Sequence, residues 1–88
     1  MNVLLTLKEA QEIIKNRFFE KDYKRGILKT FLWLVEEVGE LSEAIREENM
    51  ENIFEEIADV FAWTLSLANL LNIDLEEAFK SKYLGEEI

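Results

Sequence analysis

With nineteen acidic residues and neither histidine nor cysteine in the chain, carboxylate oxygen is its main metal-ligating side-chain chemistry. Two pairs of acids are spaced for joint action: Glu37 with Glu40, and Glu56 with Asp59. At i, i+3 on a helix, each pair occupies one turn and can point at a shared ion. Four oxygen ligands without nitrogen or sulfur suit a hard cation, Mg²⁺, with Mn²⁺ as a substitute, and disfavour zinc and copper. A ferritin-like di-iron centre would need Glu-x-x-His pairs, which this composition excludes. So many acids over-neutralise a single ion unless they hold two ions or bind phosphate through them. The chemistry indicated is phosphoryl chemistry.

Helical phase sharpens that choice. At about 100° per residue, Glu36, Glu40, Glu43 and Glu47 share one stripe, with Glu37 at its shoulder. Phe31, Leu34, Val38, Leu41 and Ile45 gather opposite. A solvated glutamate face would explain the stripe alone, but Leu32 and Trp33 lie on the same side one turn earlier. In the next segment, Ile53, Ile57, Val60, Trp63, Thr64, Leu67 and Leu71 define an apolar sector that contains Glu56. Asp59 sits at its edge and Glu55 points to the polar side. A carboxylate aimed into a core is costly unless it is protonated, hydrogen-bonded or bound to a cation. Arg46 is the only basic residue between Thr30 and Phe79, so a salt bridge from this stretch is poorly provided for. Packing the two segments antiparallel would bring the acid pairs together.

The elements that must position these acids all read as helix. Thr6-Leu7-Lys8-Glu9 has capping-box spacing and opens a helix expected to reach about Glu20, with Lys21 to Arg25 as a polar connection closed by Gly26. A second helix is expected over about Ile27 to Glu47. The third follows Asn49 as N-cap and runs from about Met50 to Leu71, with Asn72 as a left-handed C-cap. Asp74-Leu75-Glu76-Glu77 opens a short last helix to about Tyr83. The expectation is an all-α, up-down bundle of four helices, two of them long.

Eighty-eight residues imply one domain spanning 1–88, with a core too small for comfort and no disulfide or zinc site to reinforce it. The apolar fraction of 49% excludes a disordered chain and favours oligomerisation. A net charge of -9 argues against a nucleic acid polymer as partner. No apolar run is long enough for a membrane span, and Met1 to Thr6 is too short for a signal peptide, so a cytoplasmic protein is expected.

Glu36-Glu37-Val38-Gly39-Glu40, followed after fifteen residues by Glu56-Ile57-Ala58-Asp59, resembles the EExxE…ExxD signature of MazG-like nucleotide pyrophosphohydrolases. The resemblance covers nearly everything after the first helix, including Asn72-Ile73-Asp74-Leu75-Glu76-Glu77-Ala78-Phe79. It implies the bundle of the all-α NTP pyrophosphatases and an oligomeric enzyme, a homodimer or homotetramer. The implied reaction cleaves a nucleoside triphosphate between the α- and β-phosphates, giving monophosphate and pyrophosphate, with removal of aberrant nucleotides as its role. Carried over by position, Glu37, Glu40, Glu56 and Asp59 would ligate Mg²⁺. Glu36 would serve a second ion or orient the attacking water, and a spare carboxylate, Glu36 or Glu37, would take its proton. Trp33 and Trp63 could stack on a base, and Asn69 and Lys82 match polar substrate contacts. Lys80 is a weaker companion to Lys82.

Two other readings stay open on sequence alone. One is a non-enzymatic acidic dimerisation or adaptor module, and the other a related pyrophosphatase acting on phosphoribosyl-ATP. Oligomerisation is expected in either enzymatic case. The second helix is apolar around most of its circumference from Ile27 to Val35, and Phe54, Phe61, Leu65 and Ala68 form a further strip on the third. A four-helix monomer needs one buried stripe per long helix. Few residues follow Tyr83, so a complete pocket is expected to draw on a second subunit.

Overall fold

The computed structural model describes residues 4–85. They form four helices, α1 (Leu7–Arg25), α2 (Ile27–Arg46), α3 (Met50–Leu70) and α4 (Leu75–Tyr83), with no strand among the described residues. Three helices are long, not two, because α1 continues through Lys21 to Arg25. That stretch is polar but contains no residue that breaks a helix, and charge alone does not end one. Gly26 does. At φ 92° it closes α1 and opens α2 as a one-residue corner, in a backbone region that side chains rarely adopt.

The remaining boundaries follow local chemistry. The Thr6 hydroxyl accepts from the Glu9 amide at 3.0 Å, and the Glu9 carboxylate accepts from the Thr6 amide at 2.9 Å. This reciprocal pair satisfies two amides that the helix leaves free. Asn49 caps α3 by accepting from the Asn52 amide, and Asp74 caps α4 by accepting from the amides of Glu76 and Glu77. Beyond α3, Asn72 takes φ 58° and the Ile73 amide returns to the Ala68 carbonyl. The end of α2 is built the same way, with Glu48 at φ 55° and the Asn49 amide on the Ala44 carbonyl.

The central element is α3, packed by α2 on one side and α1 on the other, while α4 lies against α1. Its core-facing residues are Leu65 and Ala68, with Ser66 buried beside them. This corrects the expected outward strip: Phe54 and Phe61 face solvent, but Leu65 and Ala68 are the core, because α1 covers the side that a two-helix view leaves bare. Ile57, expected inside, is exposed.

On α2 the packed stripe is Thr30, Leu34, Glu37, Leu41 and Ala44. Phe31, Val38 and Ile45, expected inside, are exposed. The helix is apolar on both sides, so hydrophobicity alone could not set its phase, and the polar Thr30 and Glu37 turn inward. Among the described residues only Ala44, Leu65 and Ala68 are fully buried apolar side chains. A large apolar surface is left uncovered. No described helix is long and apolar enough to cross a membrane.

Candidate metal centre and adjoining cavity

Two turns of helix make the acidic cluster. Glu37 stands in the stripe that α2 presents to α3, and Glu56 and Asp59 occupy one turn of α3. One carboxylate oxygen from each of the three lies within 4.8 Å of the others. Glu37 and Glu56 are half-buried and Asp59 is exposed. Burial first, then the charges of Asp59, Glu56 and Glu40, hold the Glu37 carboxyl above its ordinary value, and a hydrogen bond with Glu56 pushes the same way. Glu56 Oε1 is buried with no hydrogen-bond partner among the described residues. A buried, unpartnered carboxylate oxygen among like charges is unfavourable by itself and suits a cation. The donor set is all oxygen, which fits Mg²⁺ or Mn²⁺.

Glu40, one turn beyond Glu37, is exposed and stands outside the three-residue cluster, though its charge reaches Glu37. Glu36 is also exposed. Three acids therefore converge directly, with Glu36 and Glu40 on the adjoining surface of α2.

Beside the acids the two tryptophans meet. Trp33 of α2 and Trp63 of α3 stack with centroids 6.3 Å apart and planes 21° from parallel. The Arg25 guanidinium lies 4.8 Å from the Trp63 centroid. The same guanidinium donates to Asp22 Oδ1 at 2.7 Å and, at 3.4 Å, to the hydroxyl of the fully buried Thr30. This polar cluster lies at the Gly26 corner and was not apparent from sequence, where Asp22 and Arg25 fell in an assumed connection. Their i, i+3 spacing ahead of a glycine is the signal that could have found it. A cavity of about 260 Å³ between α1 and α3 is lined by Asp22, Arg25, Asp59 and Trp63, with Phe18 and Ser66 among its walls.

Asn69 and Lys82 stand elsewhere. Asn69, expected on a solvated side, faces α1, where its Oδ1 accepts from Gln11 Nε2 at 3.0 Å and its Nδ2 donates to the Gln11 carbonyl. It lies ten residues, about 15 Å of helix rise, beyond Asp59. Lys82 borders an apolar groove with Leu7, Phe61 and Tyr83. Lys80 pairs with Glu76 at 3.7 Å.

Residues 25–83 match the family model of the MazG nucleotide pyrophosphohydrolase domain. No curated protein matches the chain. The matched span begins at Arg25 and contains all of α2, α3 and α4, hence the whole acidic cluster and both tryptophans.

Proposed function

The chain belongs to the MazG nucleotide pyrophosphohydrolase family, and on that footing we propose that it hydrolyses a nucleoside triphosphate between the α- and β-phosphates, in a Mg²⁺-dependent reaction that releases monophosphate and pyrophosphate. The observation that carries this reading is the convergence of one carboxylate oxygen each from Glu37, Glu56 and Asp59 within 4.8 Å, beside a Glu56 Oε1 that is buried with no hydrogen-bond partner among the described residues.

In the proposed site Glu37, Glu56 and Asp59 hold the cation, and Glu40 adds a fourth carboxylate from the rim. Bound Mg²⁺ supplies neutralisation of phosphate oxygens and a bound water of lowered pKa. Glu36, exposed beside the cluster, orients the attacking water or serves a second ion, and Glu36 or Glu37 accepts the water's proton. Arg25 and Lys21, which line the cavity shared with Asp59, offset the negative charge that a triphosphate adds to an acidic surface. Trp63, backed by its stack on Trp33, offers flat apolar surface for the base.

We further propose a homodimer or homotetramer. Phe54 remains 78% exposed, and Phe31, Val35, Val38 and Phe61 are exposed with it. Covering them between copies would supply the stability that three buried apolar side chains do not. Asn69 and Lys82 line other cavities of the protomer, so in this reading any substrate contact they make reaches a neighbouring subunit's site. Hydrolysis that stops in a chelator and returns with added Mg²⁺ supports the assignment; hydrolysis indifferent to both would end it.

A further inference from the structure

One buried group near the acids has no part in the scheme above. Asp22 is 2% exposed, and only one of its carboxylate oxygens is used: Oδ1 takes the Arg25 guanidinium, while Oδ2 is buried with no hydrogen-bond partner among the described residues. Its side chain borders the cavity of about 260 Å³ between α1 and α3, whose wall also includes Asp59. A carboxylate oxygen held there accepts hydrogen bonds and donates none. The Arg25 contact fixes the group in place, so the free carboxylate oxygen selects for a donor and against another acceptor.

The cavity walls define the shape of what brings that donor. Phe18 and Trp63 supply flat apolar surface, and the Ser66 hydroxyl lines the same space as either donor or acceptor. A planar heterocycle fits such walls, and its attached phosphates would lie toward Asp59 and the metal ligands. Resting on the nucleotide pyrophosphohydrolase reading, we propose that this cavity is the nucleobase pocket and that Asp22 Oδ2 reads an exocyclic amino group. Cytosine and adenine present an amino group next to a ring nitrogen that accepts, which the Ser66 hydroxyl can serve. Uracil and hypoxanthine place a carbonyl where the amino group stood and set it against the carboxylate. Leaving a buried polar group unpaired, or facing it with a like acceptor, is the most discriminating device a binding site has.

The test uses pairs of substrates that differ at that one substituent, CTP against UTP and ATP against ITP. The expected result is a kcat/KM favouring the amino member of each pair by about tenfold or more. Asp22→Asn keeps an oxygen for Arg25 and turns an amide N–H toward the cavity, so the preference should move to UTP and ITP. If that variant does not fold, the 2-pyrimidinone analogue of CTP, in which hydrogen replaces the amino group, makes the same deletion from the substrate side and should lose the advantage over UTP. Equal rates within both pairs overturn the proposal, as does a folded Asp22→Asn that keeps the wild-type preference. Calorimetry with CMP and UMP separates this inference from the reaction itself. Tighter CMP binding without hydrolysis of any triphosphate would sustain the pocket and remove the hydrolase reading; equal CMP and UMP binding would remove the pocket.

Discussion

Glu37 and Glu56 come from different helices and bring a carboxylate oxygen each within 4.8 Å of one another, while Glu56 Oε1 is buried with no hydrogen-bond partner among the described residues. Two half-buried acids so close, with Asp59 beside them, repel unless a proton or a cation intervenes. The metal-free fold therefore carries a local penalty that a bound cation would remove.

Glu56→Gln should weaken Mg²⁺ or Mn²⁺ binding by about tenfold or more, since it removes one charge and one ligand oxygen at nearly constant volume. Without metal, its melting temperature should equal or exceed that of the wild type, because a buried charge and its repulsion with Glu37 and Asp59 have gone. Glu55→Gln, on the exposed side of α3, is the control and should change neither. Calorimetric metal titration and thermal melts check both parts, and identical behaviour of the two variants would count against the site.

The pH dependence has a definite sign. Glu37 holds its proton more tightly in the folded state than in the unfolded chain. Its protonation therefore contributes stability that is fully present below the ordinary carboxylate pKa and is lost as pH rises through the raised value. Metal-free protein should melt higher as pH falls from neutral into that range, and saturating Mg²⁺ should flatten the trend by competing with the proton. Glu37→Gln should abolish this component in melts recorded across pH.

Much of the fold was legible in the sequence because its signals are local. Thr6 with Glu9, Asn49, Asn72 and Asp74 act at short range, and the structure places each where its chemistry suggests. Element phase was less legible. By helical phase Glu37 falls at the shoulder of a solvated stripe, yet it lies in the packed one, because α2 offers apolar residues on both sides and only its partner decides which is covered. Leu65 and Ala68 were misplaced for a related reason: their burial depends on α1, a long-range fact. The Asp22–Arg25–Thr30 cluster was missed altogether, since a run of charges reads as a connection until Gly26 is seen to be the only break. Within the acidic site, the facing of Glu56 is readable from helical spacing, whereas the separation of Glu40 from the three converging acids is not.

The uncovered apolar surface predicts an assembly. Light scattering at micromolar concentration should give a dimer or tetramer, and Val38→Glu, which puts a charge on the outward face of α2, should shift the population toward monomer and lower the melting temperature. A stable wild-type monomer with full activity would contradict this.

Glu48 occupies a left-handed conformation at φ 55° that glycine adopts without steric cost. Glu48→Gly should stabilise the protein by about 0.5–1 kcal/mol, as relief of backbone strain outweighs the added freedom of the unfolded chain. Denaturant titration would register this as a higher midpoint at unchanged slope.

The most direct measurement is phosphorus-31 NMR of a nucleoside triphosphate incubated with the protein and Mg²⁺ in water enriched in oxygen-18. Monophosphate and pyrophosphate should accumulate in equal amounts, with the heavy oxygen in one product at the broken α–β bond, and a chelator should stop the reaction. Diphosphate with orthophosphate, or no turnover of any triphosphate with Mg²⁺ present, would contradict the account.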